Sequence, residues 1–117
     1  MFKILSFLTR KEGLGAAEFA DYYENQHIPF ILGLAPAPPV YTRRYVTRGA
    51  ELNAENGSVD FDVVTEVGFP DREAFLAWMA AVSKPGVGER VAEDEARFLD
   101  RSRTRSYVVD ERASTGS

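Results

Sequence analysis

The segment FKILSFLT, at residues Phe2 to Thr9, is apolar on both of its alternating faces. Successive side chains of a strand point to opposite sides of a sheet. The apolar residues therefore form two sets, which are Phe2, Ile4 and Leu8 on one side and Leu5 and Phe7 on the other. This pattern is typical of a strand that is covered on both sides. Any fold for this chain must therefore cover two faces of its sheet.

Four strand patterns and two longer helix patterns follow one another along the chain. The predicted elements are a strand at Phe2 to Thr9, a helix from about Ala16, strands at Val40 to Gly49 and Val59 to Phe69, a helix beginning after Asp71, a short amphipathic helix at residues 89–100, and a last strand at residues 102–111. A polar loop with the turn-forming pair Asn56-Gly57 separates the second and third strands. Pro29 disfavours helical geometry at the residue before it, so the first helix is predicted to end near His27.

This order predicts an α+β fold of the ferredoxin-like βαββαβ kind, with helices on one face of a four-stranded antiparallel sheet. It fits a single domain at residues 1–112, followed by a frayed tail at residues 113–117. Helices on one face leave the second apolar face open, and a broad exposed apolar patch is unusual on a monomer. We therefore expect a homodimer in which two copies of the sheet cover each other.

Composition narrows the classes of partner. Hydrophobic residues make up 44% of the chain and charged residues 27%, which is a globular balance, and the net charge of -4 disfavours nucleic-acid binding. No apolar run approaches membrane-spanning length, and the opening residues are interpreted as a strand rather than a signal peptide. The chain has no cysteine, so we expect no disulfide and assign a cytoplasmic location by default.

The sequence lacks the familiar catalytic and cofactor motifs. It has no glycine fingerprint for a dinucleotide, no phosphate-binding loop and no serine-hydrolase elbow. A single histidine without cysteine would leave a zinc ion to be completed by carboxylates alone, which disfavours a zinc site. We therefore expect neither a metal nor an organic cofactor.

His27 is the only histidine in the chain, and imidazole is the side chain best suited to proton transfer near neutral pH. It shares an i, i+4 face with Phe19, Tyr23 and Ile31 if the helix persists. Two interpretations remain open: His27 is a structural cap at a helix end, or it is a catalytic residue. Tyr23 and Tyr45 are the candidate catalytic partners, because a phenol can hydrogen-bond a developing enolate oxygen.

Two segments resemble the EthD-like family of dimeric α+β barrel proteins. The segment LTRKEGLGAAEFADYYENQHIPFI is similar to the family's strand, Lys-x-Gly turn, aromatic helix and His-x-Pro end. The segment DEARFLDRSRTRSYVVDE is similar to its Asp-Glu-x-x-Phe helix running into the last strand. The resemblance implies a ferredoxin-like fold and a dimer whose two sheets form a barrel. It also implies that His27, at the His-x-Pro position, is the proton-transfer group.

Members of that family include cofactor-free enzymes that act on aromatic polyketides and lactones. The resemblance therefore implies a decarboxylase, a cyclase or dehydratase, or an isomerase that binds a small aromatic or polyketide-like molecule between sheet and helices. The residues expected to bind it are Phe7, Tyr41, Phe61, Asp62, Trp78 and Phe98. The alternatives are a cofactor-independent monooxygenase of the same fold, a non-catalytic dimer that binds a small molecule, and a haem protein with His27 as the ligand.

Overall fold

The computed structural model describes residues 1–47 and 60–116. Its elements, in chain order, are β1 (Phe2–Leu8), α1 (Ala16–Tyr22), a π-helical segment (Tyr23–His27), α2 (Ile28–Leu32), β2 (Val40–Tyr45), β3 (Val63–Phe69), α3 (Arg72–Ser83), α4 (Val87–Glu95), a 3-10 turn (Arg101–Arg103) and β4 (Arg105–Val109). Parts of the prediction lie outside the described residues, namely the end of the second strand at residues 48–49, the Asn56-Gly57 turn, the start of the third strand at Val59 and the last residue of the tail.

The four strands form one antiparallel sheet in the order β2-β3-β1-β4. β1 lies in the interior of this sheet, where Ser6 is opposite Thr65 of β3 on one side and Ser106 of β4 on the other. The predicted α+β class, the βαββαβ order and the four-stranded antiparallel sheet are thereby confirmed. No helix in the described part of the chain is long and apolar enough to cross a membrane.

The core lies between the helices and one face of the sheet, which we call the helix-facing side. Its main cluster consists of the buried residues Leu8, Phe19, Tyr23, Ile28, Val63, Phe98 and Leu99. Under α3, the ring of Phe69 packs against Phe75 and Trp78 at centroid distances of 5.6 and 5.8 Å. Helix α3 begins after Asp71, as predicted, and Asp71 is its N-cap, because its carboxylate accepts the backbone N–H of Ala74 at 2.8 Å.

The predicted end of the first helix near His27 is wrong, because the backbone passes through the π-helical segment and stays helical to Leu32. The N–H of Ile28 bonds to the carbonyl of Tyr23, five residues back. In a regular α-helix, the ring of Pro29 would clash with the carbonyl four residues before it. The wider π turn relieves that conflict, and such turns are frequent at functional sites.

The opposite side of the sheet, which we call the open face, carries an aromatic group. The ring of Phe7 lies 5.1 Å from that of Phe61 and 6.0 Å from that of Tyr107. Tyr107 is 53% exposed. Beside these rings, Glu66 is paired with Lys3 at 3.2 Å. The apolar character that the sequence predicts for this face of β1 is therefore present.

Candidate functional site

A cavity of about 500 Å³ lies between the helix-facing side of the sheet and the helices. All four strands contribute to its floor, and the π-helical segment, α3 and α4 form its walls. Its volume lies within the range of small-molecule sites, which are mostly apolar with a few polar groups. The polar and aromatic residues that line it include Ser6, Tyr23, His27, Tyr41, Thr65 and Trp78.

His27 lies in the wall of this cavity and is paired with a carboxylate of α4. Its Nδ1 is 2.5 Å from Oδ2 of Asp94, and both side chains are buried, at 9% exposed. When the carboxylate accepts a hydrogen bond from Nδ1–H, the ring is held in the tautomer with an unprotonated Nε2. Nε2 is then the ring nitrogen left to accept a proton, and His27 is one of the residues that line the cavity.

Tyr22 completes the hydrogen bonding of Asp94. Its hydroxyl donates to Oδ1 at 2.7 Å, so each oxygen of the buried carboxylate has a partner. Burial, and after it the hydrogen bond with Asp94, raises the pKa of Tyr22, which keeps the phenol protonated at neutral pH. The ring of Phe98 lies 5.1 Å from that of Tyr22 and 4.9 Å from that of His27. Hydrogen bonding and aromatic packing together fix the orientation of the imidazole.

Two tyrosine side chains line the cavity with His27. Tyr23 is one helical turn before His27, with ring centroids 5.4 Å apart, and its hydroxyl lies 2.6 Å from Oγ1 of Thr65. Burial raises the pKa of Tyr23, and burial followed by the neighbouring Tyr23 raises the pKa of Tyr41. Both phenols therefore stay protonated at neutral pH and can donate hydrogen bonds to an oxygen of a bound molecule.

Trp78 and an ion pair complete the lining. Nε1 of Trp78 is buried and has no hydrogen-bond acceptor within residues 1–47 and 60–116. Where the cavity meets solvent, Nε of Arg101 lies 3.3 Å from Oε1 of Glu95. The ion pair therefore gives the cavity a charged group at its rim, whereas the indole N–H of Trp78 is enclosed within the wall.

Four of the predicted site residues come together here, since Tyr23, His27, Tyr41 and Trp78 all line the cavity. Tyr45 does not line it, although it was predicted beside them. Its hydroxyl instead donates to the Glu24 carboxylate at 2.6 Å. The catalytic and binding roles assigned to these residues stay predictions.

Phe7, Phe61, Phe98 and Asp62 do not line this cavity, contrary to their predicted position. Phe7 and Phe61 contact each other on the open face. The predicted alternation placed Phe61 with Val63, but β3 begins only at Val63 and the backbone bends just before it. Phe98 is fully buried in the core. Asp62 is buried beside the turn after β1, where it accepts the backbone N–H of Arg10 at 2.8 Å.

Asp94 is the site residue that the sequence analysis missed. It belongs to the Asp-Glu-x-x-Phe pattern, four residues before Phe98. Residues with that spacing share a helix face, and both side chains are buried. A carboxylate on a buried helix face needs a hydrogen-bonding partner. The only histidine of the chain was available as that partner, so the pairing could have been proposed from the pattern.

These residues could supply a proton acceptor and phenolic donors, but they do not form an evident metal site. No group of three or more potential ligands from histidine, aspartate and glutamate is clustered in the part of the chain that the structure describes. The carboxylate beside His27 is Asp94, whose oxygens are engaged by His27 and Tyr22. The arrangement can therefore support general acid–base chemistry with its own side chains.

The sequence profile of the EthD domain matches residues 11–102, which is more than half of the chain. The matched range contains the π-helical segment, both members of the His27–Asp94 pair and helices α3 and α4. No curated protein sequence gives a significant match.

Solved structures share the fold at low sequence identity. An ethyl tert-butyl ether D (EthD) family protein from Bacillus halodurans is 17% identical, with a TM-score of 0.63 over 96% of this chain and 100% of the other. An EthD-like protein from Ralstonia eutropha is 20% identical, with a TM-score of 0.60 over 92% and 86%. A NIPSNAP domain protein from Burkholderia xenovorans is 14% identical, with a TM-score of 0.63 over 100% of both chains.

Proposed function

The chain belongs to the EthD family, and we propose that it is a cofactor-free enzyme that acts by proton transfer through His27. Its substrate is a flat aromatic, polyketide-like or lactone-like molecule with an acidic C–H group. The observation that carries the proposal is the buried His27–Asp94 pair in the wall of a cavity of about 500 Å³. A helix cap would pair the imidazole with a backbone carbonyl, whereas His27 is paired with a carboxylate beside a cavity.

In the proposed mechanism, Nε2 of His27 removes a proton from a carbon next to a carbonyl group of the substrate. The electrons of the C–H bond move to the carbonyl oxygen and form an enolate. The imidazolium is stabilised by Asp94, in the way that a buried carboxylate assists other catalytic histidines. His27 then returns the proton to a different carbon, which completes an isomerisation. In a decarboxylation, the electrons of the C–C bond to the carboxylate form the enolate as carbon dioxide leaves, and the imidazolium of His27 protonates that carbon. A positioned base of this kind contributes about 10²- to 10⁴-fold to a rate.

The enolate oxygen needs hydrogen-bond donors, and Tyr23 and Tyr41 are the proposed donors. Burial raises the pKa of both phenols, so they retain their protons while the enolate forms. The Thr65 hydroxyl, which is hydrogen-bonded to Tyr23, can donate to the phenolic oxygen while the phenol donates to the enolate.

We also propose that the protein is a homodimer in which two copies pack their open faces together. The aromatic group of Phe7, Phe61 and Tyr107 supports this proposal, because apolar faces of two sheets can pack at about 10 Å. In this arrangement the cavity of each protomer stays on the far side of its sheet and remains open to substrate.

The first test is hydrogen–deuterium exchange of 2-tetralone, a flat bicyclic ketone with acidic C–H groups. Its exchange in D₂O is followed by proton NMR with the native protein and with His27→Gln. We expect exchange to be faster with the native protein than in buffer alone. In His27→Gln, the acceleration should be smaller by a factor of at least about 10². Binding is measured in parallel through fluorescence of Trp78, which is the only tryptophan and lines the cavity.

The matched control is the double variant His27→Gln/Gln26→His, which moves the imidazole to the exposed neighbouring position. It should exchange no faster than His27→Gln, because its imidazole is outside the cavity. Exchange by His27→Gln at the native rate would contradict the proposal. Tight binding of the ketone with no acceleration by the native protein would instead identify a non-catalytic binding module.

A further inference from the structure

The cavity contains a row of hydroxyl groups that crosses the sheet on its helix-facing side. Ser6 of β1 is directly opposite Thr65 of β3 and Ser106 of β4. The hydroxyls of Ser6 and Ser106 are 2.7 Å apart, and all three residues line the cavity. Because neighbouring strands are about 4.8 Å apart, this hydroxyl row extends over roughly 10 Å. That length is comparable with the long axis of a bicyclic aromatic molecule.

The two ends of the hydroxyl row have different chemistry. At the β3 end, Thr65 is hydrogen-bonded to Tyr23, whose ring contacts His27. At the β4 end, the chain enters β4 from the 3-10 turn that carries Arg101, and Arg101 also lines the cavity. His27 therefore lies toward one end of the hydroxyl row, and the positively charged Arg101 lies toward the other.

The guanidinium of Arg101 has N–H groups that its ion pair with Glu95 does not use. Its Nε is paired with Glu95 at 3.3 Å, and this is its one ion pair within residues 1–47 and 60–116. A guanidinium carries five N–H donors in a planar fork, so a single contact at Nε leaves the terminal nitrogens for another acceptor. That fork matches a carboxylate in a two-point hydrogen bond.

We propose that Arg101 binds the carboxylate of an aromatic acid that lies across β3, β1 and β4. The ring oxygens of this acid contact the hydroxyl row, and the carbon to be deprotonated lies near His27. The inference rests on the proposed function, because it uses the same cavity, and it narrows the substrate class to carboxylic acids. Glu95 holds the guanidinium in place in the free protein and repels a bound carboxylate, so it limits the affinity.

The test uses isothermal titration calorimetry with 2-naphthoate and its neutral analogue 2-naphthamide. Four proteins are compared: the native chain, Arg101→Gln, Glu95→Gln and the control Arg103→Gln. Arg103 is on the same short turn but does not line the cavity. The native protein should bind naphthoate more tightly than naphthamide, and the difference should shrink at high salt. Arg101→Gln should weaken naphthoate binding by about fivefold to tenfold and leave naphthamide unchanged.

Glu95→Gln should tighten naphthoate binding, because it removes the competing carboxylate, whereas Arg103→Gln should bind both probes as the native protein does. Equal affinity of the native protein for the two probes would overturn the inference and leave the proposed proton transfer standing. So would an equal loss of both affinities in Arg101→Gln. Failure of both probes to bind the native protein would overturn the inference and also the proposal that the cavity binds a small aromatic molecule. If the native protein prefers naphthoate but does not accelerate the exchange of 2-tetralone, only the proposed function is overturned.

Discussion

Asp94 decides what His27 can do. A lone buried imidazole can be a proton donor, a proton acceptor or a cap, and its tautomer is set by the partner of its second nitrogen. Here that partner is a carboxylate that is itself held by the hydroxyl of Tyr22. The three side chains form a chain of hydrogen bonds that leaves Nε2 of His27 as the one ring nitrogen for substrate.

Replacing Asp94 by asparagine tests this relation. The amide of Asp94→Asn can donate to Nδ1, which would place the imidazole proton on Nε2 and remove the base. We expect the exchange rate of 2-tetralone to fall by about 10²- to 10⁴-fold, with ketone binding retained. The control is Tyr22→Phe, which removes one hydrogen bond but keeps the carboxylate, and it should lose about tenfold or less. An Asp94→Asn protein with native activity would contradict the assigned role of Asp94.

The sequence predicted His27, Tyr23, Tyr41 and Trp78 as site residues, and these four do share a cavity. It could not separate them from Phe98 and Tyr45, because an aromatic side chain in the core and one in a cavity wall give the same local pattern. That difference depends on tertiary packing, which helical or strand periodicity does not encode. Asp94 could have been identified from the Asp-Glu-x-x-Phe motif. Its partner His27 is 67 positions away in the sequence and could be inferred only because the chain has a single histidine.

Among the elements, the π-helical segment matters most, because it carries Tyr23 and His27. It is tied to β2 by Glu24, whose carboxylate accepts hydrogen bonds from Nε of Arg43 at 3.0 Å and from the hydroxyl of Tyr45 at 2.6 Å. Arg43 also contacts the second carboxylate oxygen of Glu24, which makes the pair bidentate. This contact holds the wall of the cavity over its floor.

The Glu24–Arg43 pair should make stability depend on pH. The hydrogen bond with Arg43 lowers the pKa of Glu24 below its usual value. The stabilisation is therefore fully present above the unfolded pKa of about 4.3, and it is lost as the pH falls through the lower folded pKa. Glu24→Gln should cost about 0.5 kcal/mol at neutral pH, a small value because the carboxylate is partly exposed and screened.

Urea unfolding at neutral pH and near pH 3 measures this effect. The difference in free energy of unfolding between native protein and Glu24→Gln should be larger at neutral pH than near pH 3, which lies below the unfolded pKa of about 4.3. Glu93→Gln is the matched control, since Glu93 pairs with Arg97 at 3.5 Å on an exposed helix surface and should give no comparable difference. A Glu24→Gln difference that is the same at both pH values would show that the pair is not the cause.

Element order was predictable, because strand alternation and helix periodicity are local properties of the sequence. The face of the sheet that lines the cavity was not, since Phe7 was expected to line it and lies instead on the open face. The end of the first helix was not, because Pro29 normally stops a helix and only the π turn at Tyr23–His27 allows it to continue. A π turn has no reliable local signature. Phe61 was misplaced for a similar reason, since a bend before Val63 changed the face on which it lies.

In the molecule as a whole, the open face is the side of the sheet that takes no part in the cavity. It combines the aromatic group around Phe7 and Tyr107 with the Lys3–Glu66 pair. A second copy of the chain presents the same mixture, so a two-fold axis through this face would bring aromatic rings together. The proposed dimer explains why β1 is apolar on both sides.

Light scattering coupled to size-exclusion chromatography tests the dimer. The native protein should have the mass of two chains, and Tyr107→Glu should shift it toward one chain, because it places a charge within the packed faces. Leu76→Glu is the matched control: Leu76 is 49% exposed on α3, close to the 53% of Tyr107, but lies away from the open face. A native protein with the mass of a single chain, or equal effects of both variants, would contradict the proposed dimer.

The most direct measurement of the central claim is nitrogen NMR of the imidazole, whose signals are unambiguous because the chain has one histidine. In ¹⁵N-labelled native protein at mildly alkaline pH, Nδ1 should be protonated and hydrogen-bonded, and Nε2 should be unprotonated. Saturating 2-tetralone should shift the Nε2 resonance much more than that of Nδ1. A proton on Nε2 in the free protein, or an imidazole spectrum that does not change when the ketone is bound, would contradict the account.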